Sequence, residues 1–323
     1  MRPEKGATIP RRQGFLWHLT GRIVMMLATL WVVATLTFLG MRLIPGDPFS
    51  DPKVTPQVKE NLYRKYGLDK PLYKQYVRYL GNLSRLDFGV SYIQVGRSVN
   101  DIIAQGFPVS AELGLWALLL ALFWGPLLGT LSGLFHEGML DRSSTFLAAL
   151  GVSVPSFILA LLFQYVFAFR LSLFPVAGWD GASARFLPAL TLSILPAATI
   201  ARLLRASILD VLRQDYIQTA RIKGLAHKRL LLHHVLKNAA LSVVTYLGPM
   251  AVNITTGSFV IETIFNVPGL GKYYVQSIYD RDYTLVMGTT VFYAALLIVA
   301  MFLVDIAYGM IDPRIRLFGA RNR

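Results

Sequence analysis

The chain has no cysteine, which excludes disulfides and thiolate metal sites. Charge is also scarce. Only 15% of the 323 residues are Asp, Glu, Lys or Arg, against 54% hydrophobic residues and a mean hydropathy of +0.50. That balance excludes a soluble domain of this length and marks an integral membrane protein. Acids are scarcest, 18 against 32 basic residues, giving a net charge of +14 and a pI near 10.0. Such an excess suggests a nucleic-acid partner until its location is considered, because it falls between apolar runs and at the chain ends rather than in one basic domain. Histidines 18, 136, 227, 233 and 234 have no ligand-like pairing with carboxylates. No nucleophile, base and orienter constellation is evident either. The expectation is a protein that binds no metal or cofactor itself, is not an enzyme, and does not meet nucleic acid.

What is present is a series of uncharged runs at 23–41, 113–135, 143–169, 241–261 and 283–304, each long enough to cross a hydrocarbon core that needs about 20 residues of helix. A sixth run, 186–204, contains Pro188, Pro196 and Arg202. Proline is tolerated in membrane helices, and a basic side chain near an end reaches the interface. The reading is therefore an all-α integral membrane protein with six spans. Arg2, Lys5, Arg11, Arg12 and Arg22 precede the first span, a basic segment follows the fourth, and Arg314, Arg316, Arg321 and Arg323 follow the last. Six crossings put these regions on one face, and the excess of Lys and Arg assigns that face, with both termini, to the cytoplasm. The first span runs into Arg42-Leu43-Ile44-Pro45-Gly46-Asp47 without a small-residue cleavage site, so it is expected to stay as a helix.

The segment 44–105 then lies outside. Thr55-Pro56 reads as an N-cap followed by proline at the first helical position, with Gly67 ending that helix. After Pro71, Tyr73, Tyr76, Val77, Leu80 and Leu83 recur at helical spacing among Lys74, Arg78 and Arg85. Two short amphipathic helices follow, either a docking platform for an external partner or a cap on the bundle. Gly125, Gly129 and Gly133 repeat every four residues on the second span, a packing stripe. Pro155, in Ser153-Val154-Pro155-Ser156-Phe157, is expected to kink the third span. The fifth span carries Asn253, Thr255, Thr256, Gly257 and Ser258 and ends at Glu262. Polar groups at this depth face a bundle interior or bond back to their own helix, and Asn253, Thr256 and Ser258 are the candidate pathway-lining residues.

Residues 213–239 hold six Lys or Arg against one acid between two apolar spans. They read as helix, turn, helix: Asp215 suits a helix start, Arg221 and Lys223 its end, and Gly224 a left-handed terminator. Tyr216, Ile217 and Ala220 share one face of the first helix. In the second, Arg229, His233 and Lys237 form a stripe opposite Leu225, Leu232, Val235 and Leu236. A rigid projection of this kind transmits force to a soluble partner. The alternatives are an ordinary basic loop or an amphipathic helix on anionic lipid.

Gln218-Thr219-Ala220, Gly224 four residues on, and His234-Val235-Leu236 after nine more resemble the signature loop of ABC importer permeases, E-A-A-x-x-x-G-x9-I-x-L-P. The departures at Gln218, Thr219, His234 and Lys237 resemble the oligopeptide/dipeptide branch. Further resemblance lies in Arg42-Leu43-Ile44-Pro45-Gly46-Asp47-Pro48, Leu86-Asp87-Phe88-Gly89, Phe107-Pro108-Val109-Ser110, Gly257-Ser258-Phe259-Val260-Ile261-Glu262-Thr263-Ile264-Phe265, Pro268-Gly269-Leu270-Gly271 and Asp312-Pro313. The resemblance implies a type I ABC importer permease, the first of the two permease subunits of a peptide importer in a bacterial-type inner membrane.

It further implies a division into 1–106 (cytoplasmic start, first span, external helices), a permease domain 107–312 with coupling loop 213–239, and a basic tail 313–323. The implied partners are a second, related permease, two cytoplasmic ATP-binding subunits that hold ATP with Mg, and an extracytoplasmic peptide-binding protein. A homodimer stays open. Tyr216, Ile217, Gln218, Thr219, Ala220 and Gly224 would contact the ATPase. Gly269-Leu270-Gly271-Lys272 hints at a phosphate loop, but position 266 is Asn and Lys272 is followed by Tyr. Nickel or another small solute is the alternative cargo. The rival classes are an ion-coupled secondary transporter, which lacks a mid-membrane ionisable group here, and a membrane scaffold that recruits a signalling protein. The role of Glu262 is open between peptide, partner and interface.

Overall fold

A computed structural model describes residues 11–43, 46–49, 55–255 and 259–311. The described residues are helical apart from turns and one isolated bridge, Val90 with Ser98. Among the described residues five helices are long and apolar enough to span a membrane, six if one sharply bent pair counts as a single span. The chain divides into two compact units, one drawn from Met1–Val99 with Arg281–Ile298, the other from Asn100–Asp280 with Val299–Arg323.

In the first unit, α1 (Arg11–Leu43) carries an apolar stretch of 24 residues, about 36 Å of helix, with its surface mostly open. Two short helices follow, α2 (Pro56–Tyr66) and α3 (Leu72–Leu83). Thr55 caps α2 by accepting from the Val58 amide, Pro56 occupies the first turn, and Gly67 ends the helix at φ 71°. The amide of Gly67 reaches the Arg64 carbonyl and that of Leu68 the Tyr63 carbonyl, which closes the last turn. On α3 the inner face is Tyr76, Tyr79 and Leu80, with Tyr76 and Tyr79 ringing Phe38 of α1, while Tyr73 and Val77 point outward. Asp47 pairs with Lys59. Burial pushes its carboxyl upward, but the Lys59 ammonium and the Phe49 amide outweigh burial and hold it below the usual range. Asp282, just ahead of α13 (Tyr283–Ile311), accepts from the Ser91 hydroxyl and from the amides of Tyr92 and Leu285, fastening the 91–94 turn to the start of that helix.

The second unit contains α4 (Val99–Leu134) from Asn100 onward, α5 (Met139–Ser153), α6 (Ser156–Phe163) with a π turn Gln164–Arg170, and α7 (Gly181–Leu212). The glycine stripe of α4 packs on α7 as expected. A Cβ at Gly129 would stand 2.7 Å from the Ala201 carbonyl oxygen, and those at Gly125 and Gly133 would meet Ile200 and Ile208. Pro155 does more than kink its span: α5 and the stretch Ser156–Arg170 meet at 107°. Val154 is extended there, as proline demands of the residue before it. The chain continues through α8 (Asp215–Ile222), α9 (His227–Arg229), a π turn Leu230–Leu236, α10 (Lys237–Thr255), α11 (Phe259–Ile264) and α12 (Leu270–Tyr279). The fifth apolar span is Leu230–Ala251, about ten residues earlier than the hydropathy minimum of charge at 241–261 suggests. The reason is that His233 and Lys237 are exposed and His234 is half-buried on a continuous helical run that buries Leu230, Val235 and Ala239.

Candidate functional site

The 213–239 segment is built on α7. Ile200, Leu204 and Ile208 of α7 share one buried cluster with Ile217 of α8, Leu230 and Val235 of the π turn, and Ala239, Val243 and Met250 of α10. Ile217 is fully buried, a contribution of about 1.5–3 kcal/mol toward holding α8 in place. Asn238 donates to the Tyr216 hydroxyl at 2.9 Å, a second tie between α8 and α10. Ser207 donates to Ser242 at 2.7 Å, joining α7 to α10. The projection is thus a fixed part of the bundle.

Its terminator has the expected form. Gly224 has φ 77°, its amide bonds the Arg221 carbonyl at 3.0 Å, and the Leu225 amide bonds the Ala220 carbonyl at 3.2 Å. A Cβ on Gly224 would meet nothing within 4 Å, so glycine is needed there for its conformation and not for space. Of the sequence-derived candidates, Tyr216, Gln218, Thr219 and Gly224 lie on the surface, Ala220 is half-buried against the cluster, and Ile217 faces inward. The Thr219 hydroxyl is engaged with the Asp215 carbonyl at 3.0 Å. Ile222 was not anticipated: it is 86% exposed at the end of α8, beside exposed Arg221 and Lys223. In the following helix the buried pair is Leu230 and Val235, and Leu232 is exposed. The expected apolar face of Leu225, Leu232, Val235 and Leu236 is corrected by the π turn, whose wider winding shifts the register of a 3.6-residue pattern.

Behind the segment, Asp141 at the start of α5 is buried and receives Arg205 of α7 through a fork, Nε to Oδ1 at 2.7 Å and Nη2 to Oδ2 at 2.9 Å. Ser132 and Thr145 donate to the same carboxylate, as does the Glu137 amide, and His136 Nδ1 lies 2.9 Å from it. This clamp joins α4, α5 and α7 near the end of α7 that leads into α8. Beside it the same helices border a cavity of about 560 Å³ whose wall includes Ser144, Thr199 and Arg202. Thr256 and Ser258, expected to line a pathway, lie outside the described residues, as does the side chain of Asn253.

Glu262 is fully buried on α11. Its Oε2 accepts from the Gly271 amide at 2.8 Å, while Ser110 of α4 accepts from the Leu270 amide at 2.9 Å. Glutamate and serine together cap the start of α12, and a Cβ on Gly269 or Gly271 would collide with the Glu262 carboxylate. The glycine-rich turn that hints at a phosphate loop therefore has its acceptor supplied from within the chain.

Residues 125–317 match the family described as binding-protein-dependent transport system inner membrane component. The chain belongs to this family. The dipeptide transport system permease protein DppB of Bacillus subtilis (strain 168) is 48% identical over 301 residues, covering 93% of this chain and 98% of that protein. The oligopeptide transport system permease protein OppB of Haemophilus influenzae is 43% identical, covering 91% and 97%. Among solved structures, the inward-facing MetNI methionine ABC transporter matches with a TM-score of 0.52 at 18% identity, over 65% of this chain and 94% of that one. An amino acid ABC transporter matches with a TM-score of 0.52 at 15% identity, over 67% and 94%. The fold is accordingly that of the type I ABC importer permeases. For this family member the matched region takes in the glycine stripe, the Asp141 clamp, α8 and Glu262, while Ser110 of the cap lies ahead of it.

Proposed function

We propose that this permease subunit forms half of the pathway of an ATP-driven peptide importer. It would be driven through α8 by cytoplasmic ATPase subunits that hold ATP with Mg. The peptide reading rests on relatives named for dipeptide and oligopeptide transport at 48% and 43% identity over nearly whole chains, and it displaces the nickel and ion-coupled readings. The remaining partners are a second homologous permease and an extracytoplasmic peptide-binding protein, with both termini and residues 213–239 on the cytoplasmic side. The permease domain is 107–312.

One observation carries the coupling role: α8 is fastened on its inner face by Ile217 and at its surface by the Asn238–Tyr216 bond, yet presents Gln218, Thr219 and Ile222 outward. An ATPase drives such a subunit only through contacts that differ between its two states, and a fastened helix passes that difference to α7 and α10. The absence of cysteine gives a direct test. Gln218→Cys, the chain's single thiol, is expected to cross-link in native membranes to a cysteine on the ATPase, with a yield that changes when ATP is added. A Gln218→Cys protein that reacts freely with a water-soluble maleimide but never cross-links would overturn the reading.

A further inference from the structure

The first unit contains a cavity of about 310 Å³, apart from α8 and the groups assigned to coupling. Its wall takes Phe38 and Arg42 from α1, Lys74 and Arg78 from α3, and Thr284 and Met287 from α13. Lys65 and Lys70 add two further cations, against one acid, Asp87, which already accepts from the Gly89 amide. Among the described residues none of these five cations forms an ion pair. Arg42 donates through Nη2 to Gln75 at 2.6 Å, and its guanidinium stacks over Phe38 and Tyr283. Its Nε, the Tyr79 hydroxyl and the Thr284 hydroxyl are withdrawn from solvent with no hydrogen-bond partner.

Unpaired cations around a small cleft repel one another, and donors removed from water without acceptors are unfavourable. One group relieves both: an oxyanion with several acceptor oxygens, which suits a guanidinium fork, hydroxyls and ammonium groups together. The position decides its source. Phe38 and Met287 lie within about one and a half turns of the ends of two apolar spans, where a chain of this kind meets the membrane interface, and the α1 surface is mostly open. Helix α3 presents Tyr73 and Val77 outward beside Lys74 and Arg78, the mixture found where a helix lies in the interface.

We propose that this cavity binds the phosphate of an anionic phospholipid, with Arg42, Lys74 and Arg78 as its principal cationic contacts and the acyl chains running along α1. The site fixes the external helices to the bilayer independently of cargo.

The test is native mass spectrometry of the intact chain, released from detergent containing equal phosphatidylglycerol and phosphatidylcholine. Phosphatidylglycerol is expected to be retained preferentially. The double variant Lys74→Gln/Arg78→Gln, at exposed positions, is expected to lower that retention roughly tenfold with an unchanged unfolding midpoint. Arg42→Gln is expected to act in the same direction. Equal retention of the two lipids, or retention unaltered in both variants, overturns the proposal. Excess inorganic phosphate is expected to leave the lipid in place, and displacement by phosphate would assign the cleft to a soluble oxyanion and overturn the lipid. Because peptide uptake is not a readout, the outcome is independent of the transport reading.

Discussion

Residues 213–239 and 259–279 each interrupt an apolar run, and each pairs a short helix with a critical glycine, yet they direct their polar groups oppositely. In the later segment Glu262 turns inward, and its carboxylate and Ser110 satisfy the start of α12. In the earlier one the inner face is apolar, and Gln218, Thr219, Arg221, Ile222 and Lys223 face out. Glycine follows the same division. Gly269 and Gly271 are required because a side chain has no room, Gly224 because its backbone is left-handed in open space. A segment that turns its polar groups inward is built for shape. One that leaves exposed groups on a rigid base has the form that the proposed coupling requires.

The largest effect is expected from loosening that base. Asp141→Ala leaves the mostly buried Arg205 guanidinium without its carboxylate, and removing one member of a buried pair costs about 3–5 kcal/mol. Arg205 is a quarter exposed, which places the variant at the low end of that range. A lowered unfolding midpoint in detergent, with uptake lost in parallel, is the expected result. An unchanged midpoint would show that the clamp is not what holds α7.

Next come the inward-turned groups. Gly271→Val drives a side chain to within 2.8 Å of the Glu262 Oε2 and the Phe259 ring, an overpacking worth about 1–3 kcal/mol. Glu262→Ala strands the Gly271 amide, at about 1–3 kcal/mol, whereas Glu262→Gln keeps an acceptor of the same shape and is expected to cost less. Thermal unfolding of the three variants orders them. If Glu262→Gln abolished uptake while leaving stability intact, the carboxylate would have a role in transport beyond the cap.

The glycines also show how far the sequence alone reached. Thr55-Pro56, Gly67 and Gly224 were legible because capping is a local matter of backbone conformation, and each was found as expected. The stripe of Gly125, Gly129 and Gly133 announced close packing, and α7 fills it with Ile200, the Ala201 backbone and Ile208. Hydropathy located the spans but not their limits. Helix α4 begins at Val99, well before 113, because Asn100, Asp101 and Gln105 are helical without being apolar. Pro155 marked a break, but a 107° turn depends on what each arm packs against. The π turn at Leu230–Leu236 was invisible for a similar reason: a one-residue change in hydrogen-bond pattern leaves composition untouched. Glu262 read as a polar residue at a span end, and only folding places it opposite Gly271.

The smallest effects on stability belong to the exposed segment, and there the comparison becomes sharpest. Gly224→Val forces a β-branched residue into the left-handed region, at about 1–2 kcal/mol confined to the end of α8. Gly224→Asn is tolerated better. Uptake is expected to fall further in the valine variant than in the asparagine one, with both inserted normally. Ile222→Ser goes further still. The side chain is 86% exposed, so its removal is expected to change stability by no more than about 0.5 kcal/mol, yet it deletes the most exposed apolar side chain of α8. Co-purification of ATPase subunits should weaken while the unfolding midpoint stays put. If Ile222→Ser binds ATPase and takes up peptide like the parent, the exposed isoleucine is incidental, and the contact must be sought at Tyr216 and Gln218 instead.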